Sequence, residues 1–98
     1  MADNEIIHQS VRLRIMAALN AIPGEQALEF ARLKAVTGAT DGNLGAHLVT
    51  LEKAGYVAVE KLFVGKRPQT RVRATAAGRR AFSEHVAYLR EILDGGRA

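Results

Sequence analysis

Val11, Ile15 and Leu19 recur at steps of four, with Met16 beside them and polar or small residues between. That period puts them on one face of a helix over 10–20, with Ser10 as its expected N-cap. The preceding "NEIIHQ" predicts a separate helical turn that packs back. Pro23-Gly24 marks a loop. Phe30, Leu33 and Val36 then set the face of a short helix, with Leu28 and Glu29 as a brief strand before it. Gly38 stands where a left-handed residue ends a helix. Leu44, Leu48 and Leu51 stripe a further helix from about Asp41 to Ala54, capped by Thr40 and stopped by Gly55. Two helices across so tight a glycine-containing turn predict a helix-turn-helix over about 30–54.

After Gly55 the period changes to two. "YVAVEKLFV", 56–64, is β-branched and aromatic and predicts a strand. "GKRP", 65–68, predicts the turn, and "QTRVRA", 69–74, a second strand. Thr70, Val72 and Ala74 point one way on it and Gln69, Arg71 and Arg73 the other. A last helix over about 75–93, capped by Thr75, carries Phe82, Val86, Leu89 and Leu93 at spacings of 4, 3 and 4. The order is helix, short strand, helix, turn, helix, strand, wing, strand, helix. It predicts an α+β, mainly helical fold: one domain over 1–98, a winged helix-turn-helix with its wing over about 56–74 and a C-terminal dimerisation helix.

Composition narrows the choice of class. Ninety-eight residues, 48% of them hydrophobic, suffice for one small core. The absence of cysteine excludes disulfides and thiolate metal sites. No stretch approaches the ~18 apolar residues of a membrane span, and "MADNEIIHQS" lacks the apolar run of a signal peptide. The expectation is a cytoplasmic protein with no membrane partner. A net charge of +4 and a pI near 10.0 permit nucleic-acid binding without requiring it. The distribution says more: residues 61–73 hold Lys61, Lys66, Arg67, Arg71 and Arg73 and no acid.

"VRLRIMAAL", "FARLKAVTGATDGNLGAHLVTLEKAGYV" and "VGKRPQTRVRATAAGRRAF" together resemble the small winged-helix transcriptional regulators related to the MarR and ArsR groups. The similarity is closest to the short versions without an effector domain and runs from about Ile7 to Leu93. Ala76 and Ser10 depart from it, since proline is common at both positions in those proteins. The resemblance implies transcriptional control.

If Leu44, Leu48 and Leu51 face the core, Asn43, Ala46, His47 and Thr50 form the neighbouring outward stripe of a recognition helix, with Thr40, Asp41 and Gly42 at its start. Its polar side chains suit base edges and phosphates. Any surface helix has such a stripe; its place after a tight turn and before a basic hairpin is what marks this one. Gly42 and Gly45 each cost a helix interior about 1 kcal/mol relative to alanine. They leave the helix start thin enough for its backbone amides to reach phosphate, or Gly45 permits close packing on the 30–37 helix. Lys66, Arg67, Gln69, Arg71 and Arg73 are the wing's expected DNA contacts. A hairpin charged only against edge-to-edge pairing explains the Lys66-Arg67 tip and the alternating Arg71 and Arg73 less well.

On the last helix, Phe82 is the expected core member. Val86, Leu89, Ile92 and Leu93 are the expected dimer interface, two modules being suited to half-sites one turn apart. The expected partners are double-stranded DNA and a second copy, with any small-molecule effector unknown. The histidines His8, His47 and His85 lack the spacing of a metal motif. No phosphate loop, paired carboxylate or catalytic relay is present, so no metal, cofactor or enzymatic activity is expected. A winged-helix module that binds another protein through the same basic hairpin is the alternative function, because fold does not fix function.

Overall fold

The computed structural model describes residues 3–95. Helix α1 (Glu5–His8) is the expected separate turn; the Asn4 side-chain oxygen accepts the Ile6 and Ile7 amides, and Ile7 is buried. Helix α2 (Ser10–Asn20) buries Ile15, Met16 and Leu19. Its cap is Gln9, not Ser10. Gln9 alone has the extended backbone of a cap, and its side chain accepts the Arg12 amide at 3.0 Å, whereas Ser10 is already helical.

Strand β1 (Leu28–Glu29) leads into α3 (Phe30–Thr37) and, after three residues, α4 (Asp41–Lys53). Gly38, at φ +70°, takes the left-handed conformation its position predicts. On α3 the buried pair is Leu33 and Thr37, with Phe30 half-buried; Val36, expected to face the core, is 44% exposed. Spacing of 3 and 4 follows the 3.6-residue period better than 3 and 3. Thr37 tolerates burial because its hydroxyl donates to the Leu33 carbonyl at 2.8 Å. Helix α4 buries Leu44, Leu48 and Leu51 as its spacing predicts.

Strands β2 (Val57–Val64) and β3 (Arg67–Ala74) form the wing, and β1 pairs on the far side of β3, giving an antiparallel sheet in the order β1-β3-β2. The register runs from Val57↔Ala74 to Val64↔Arg67, so the turn is Gly65-Lys66 rather than four residues. Gly65 at φ +65° supplies the positive φ that a type II′ turn needs at its first central position. Pro68 lies inside β3, opposite Phe63. Ladder amides alternate in direction from the closing pair, so the missing amide of Pro68 falls on the β1 edge of β3 but beyond the end of β1, which pairs only with Val72 and Arg71.

Helix α5 (Ala76–Asp94) is capped by Thr75, whose hydroxyl oxygen accepts the Gly78 amide and whose hydroxyl donates to the Gly55 carbonyl. The face it turns to the body is Gly78, Ala81 and His85. Phe82, expected in the core, is half-buried and packs against it, and Val86 and Leu89 are also half-buried. Close approach decides the face: a Cβ on Gly78 would collide with the Tyr56 carbonyl. Arg79 holds the 21–27 loop to α5 by donating to the Ile22 carbonyl at 3.0 Å and to that of Gly24. The core joins Ile7, Ile15, Met16, Leu19, Leu33, the three α4 leucines, Val57 and Val72. No helix among the described residues is long and apolar enough to cross a membrane.

Candidate nucleic-acid interface

Thr40 begins the site. Its side chain accepts the Asn43 amide at 3.2 Å, satisfying one of the amides a helix start leaves unpaired. Asp41 forms a 2.8 Å ion pair with Lys34. Both ends are substantially exposed, so the pair adds little stability; what it does is balance the Asp41 charge at the helix start and tie α3 to α4.

Thr40, Asp41, Gly42, Asn43 and Ala46 are all exposed. A Cβ on Gly42 or Gly45 would meet nothing within 4 Å. The packing role considered for Gly45 is therefore overturned: α3 does not press on it. Both glycines leave bare backbone beside open space.

His47 and Thr50 sit deeper on the same helix. Thr50 is half-buried and its hydroxyl donates to the Ala46 carbonyl. His47 is half-buried against α2, where its Nδ1 lies 3.0 Å from an Arg12 guanidinium nitrogen. Burial first, and the Arg12 charge second, lower the His47 pKa from its ordinary value. The neutral ring then accepts from Arg12 at Nδ1 and carries its proton on Nε2. Arg12 also donates to the Ile6 carbonyl at 2.5 Å. The part of Arg12 in orienting His47 has no local signal in the sequence, since 35 residues separate the two.

The register splits the wing cations between two faces. Lys61 continues the side of Val57 and Val59; Arg67, Gln69, Arg71 and Arg73 line the opposite side, with Glu60 paired to Arg71. Gln69 Oε1 accepts from Arg71 Nε at 2.7 Å, which fixes that guanidinium. Lys66 and Arg67 are exposed at the tip. Thus α4 presents its thin first turns on the body while Lys66 and Arg67 extend on the wing, and Arg71 and Arg73 lie nearer the body on the outer sheet face. Phe63, 73% exposed beside the tip, was not singled out by sequence, because a strand pattern alone does not say where the covering body ends.

Residues 11–93 match the family model described as a winged helix DNA-binding domain. A transcriptional regulator homologue from Pyrococcus horikoshii superposes with a TM-score of 0.84 at 30% identity, over 94% of this chain and 88% of that one. An uncharacterized protein of Methanocaldococcus jannaschii is 38% identical over 82 residues, 84% of this chain and 86% of the relative. A possible ArsR-family regulator from Mycobacterium bovis, described as a homodimeric winged helix-turn-helix DNA-binding domain, shares the fold, with a TM-score of 0.68 at 23% identity over 93% of this chain and 78% of that one.

Proposed function

The chain belongs to the winged helix DNA-binding domain family, and on that premise we propose that this DNA-binding regulator recognises a specific duplex sequence as a homodimer. The observation that carries the proposal is the open backbone of α4 at Gly42 and Gly45, flanked by exposed Thr40, Asn43 and Ala46. Two glycines that no intramolecular contact requires, in the helix that follows the turn, suit close approach of phosphate to the helix start. Asn43 and Ala46 then meet base edges in the major groove. His47, held by Arg12, offers Nε2–H as a donor, and Thr50 extends the same face. Lys66 and Arg67 contact the backbone or minor groove, where a narrow groove attracts arginine; Gln69, Arg71 and Arg73 add to the field from the sheet. The activity is binding, not chemistry.

Dimerisation is supported by α5. With Gly78, Ala81 and His85 against the body, the stripe of Val86, Leu89, Ile92 and Leu93 is left at the side and end of the helix, and Ile92 and Leu93 are 56% and 81% exposed. An apolar stripe at such spacing forms a two-helix seam, and the Mycobacterium bovis domain is described as homodimeric.

The test is selection from random duplex DNA by the full chain at near-physiological salt. A palindromic consensus with half-sites about one helical turn, ~34–36 Å, apart is the expected result. A non-palindromic consensus would refute the symmetric dimer. No enrichment by the folded protein would refute sequence-specific recognition and leave a protein partner for the basic wing.

A further inference from the structure

The first residues of the described chain meet the middle of α5. There the imidazole of His85, fully buried, faces that of His8, which is half exposed. The rings stand edge to face, 5.3 Å between centroids, with His8 Nδ1 3.2 Å from His85 Nε2. Asp3 Oδ1 lies 3.7 Å from His8 Nδ1 and 3.8 Å from His85 Nδ1. One donor atom from each residue thus lies within 4.8 Å of the others.

We propose that Asp3, His8 and His85 form a binding site for one divalent first-row transition ion of the zinc class. Bonds of about 2.0–2.1 Å to imidazole nitrogen and carboxylate oxygen in a tetrahedral site require donor atoms about 3.3–3.4 Å apart. The separations of 3.2 and 3.7 Å from His8 Nδ1 bracket that edge, and with all three donors within 4.8 Å of one another side-chain rotations close the site. Two imidazoles and a carboxylate suit zinc and its neighbours rather than calcium or magnesium, which take oxygen ligands. Asp3 and His85 also line a cleft of about 650 Å³, together with Glu5 and Glu84. Three carboxylates around one cleft, in a chain of net charge +4, favour cations at this place.

Without an ion, the Asn4 amide donates to His85 Nδ1 at 3.3 Å. The neutral ring therefore holds its proton on Nε2, between the two imidazoles. An ion bound at Nε2 moves that proton to Nδ1. The long Asn4 bond gives way, and Asp3 supplies one carboxylate oxygen to the ion. The ion would fasten the N-terminal segment to α5, the helix that carries the proposed dimer seam.

The test uses the full, untagged chain after chelation and dialysis. Zinc chloride is titrated in competition with a chromophoric chelator, and cobalt(II) chloride is added as a spectroscopic probe. Expected are one ion per chain, visible ligand-field bands typical of four-coordination with cobalt, and a higher melting temperature with zinc. His8→Gln and Asp3→Asn, both at exposed side chains and so compatible with folding, each weaken binding by at least about tenfold and remove the bands. Lack of saturable binding would overturn the proposal. Equal overturning evidence would be unchanged affinity in both variants, which would place any bound ion elsewhere, for example at His47. Neither result depends on whether the protein reads a DNA sequence.

Discussion

Alanine at Gly45 should make the protein more stable and a worse DNA binder. Gly45 lies within α4 with no positive φ, and its added methyl would meet nothing within 4 Å. The substitution removes backbone freedom from the unfolded chain at no steric cost in the folded one, so the gain is about 0.8–1 kcal/mol. Gly42 sits in the first turn, where the amides are not yet in the helical ladder, and gains less. For a domain of this size, 1 kcal/mol raises the melting temperature by about 4–8 °C. The effect on DNA has the opposite sign. A methyl between the helix backbone and a phosphate lengthens or breaks a hydrogen bond to a charged acceptor, which contributes ~1.5–3 kcal/mol. Affinity per protomer then falls by about tenfold to a hundredfold.

The assay pairs thermal unfolding, followed by circular dichroism at fixed protomer concentration, with fluorescence anisotropy on the selected duplex. A Gly45→Ala protein that melts higher yet binds with unchanged affinity would refute the idea that α4 keeps its glycines for DNA. One that melts lower would refute the open geometry itself. Asn43→Ala is the companion variant, since it removes a side chain and leaves the backbone approach intact. It should change which sequences are preferred while affecting overall affinity less.

Gly78→Ala should be strongly destabilising, by about 3 kcal/mol or more, because the new methyl meets the rigid Tyr56 carbonyl and α5 must move off the body; chemical denaturation measures it, and a neutral result would refute the packing of α5. Replacing Lys66 and Arg67 with alanine should weaken binding to every duplex alike. It should also flatten the plot of log affinity against log salt by about 1.8 per protomer, at 0.9 per lost phosphate contact; an unchanged slope in salt titrations would take the wing tip off the DNA. His47 has a pKa below its ordinary value of 6.5, from burial and then from Arg12. As pH falls below 6.5 the unfolded chain therefore takes up the proton first, and stability declines until the folded-state value is passed. His47→Gln should make denaturation midpoints between pH 7 and 5 less pH-dependent than those of the wild type, and an unchanged profile would contradict the Arg12–His47 contact.

The parts legible in sequence are those that local chemistry decides. Thr40, Gly38 and the leucines at 44, 48 and 51 define α4 by capping, handedness and period, and all three appear in the fold as expected. Errors arise where a distant partner decides. Val36 loses its place to Thr37 because a threonine that bonds back to Leu33 is no longer costly to bury. The wing turn shrinks to two residues because β1 stops short of Pro68 and leaves its missing amide unneeded. Arg12 and His47, 35 residues apart, have no common local signal, and neither do His8 and His85, 77 apart.

Helix α5 holds the most instructive difference, because hydrophobicity and burial part company there. The apolar spacing at 82, 86, 89 and 93 is strong, yet the body takes the face at 78, 81 and 85. Small residues let two backbones approach, and a hydrophobic pattern does not report closeness of approach. The consequence runs beyond Phe82, which packs on the core only in part. A large apolar side chain left in water forgoes about 1.5–3 kcal/mol of possible burial, and among the described residues Ile92 and Leu93 stay largely exposed. The sequence therefore specifies two faces on one helix, one of Gly78, Ala81 and His85 for its own body and one of large apolar residues for something else. In the homodimer proposed above, a second copy meeting the first along that stripe would bury both at once and would place two α4 helices under a single two-fold axis, as a palindromic site requires.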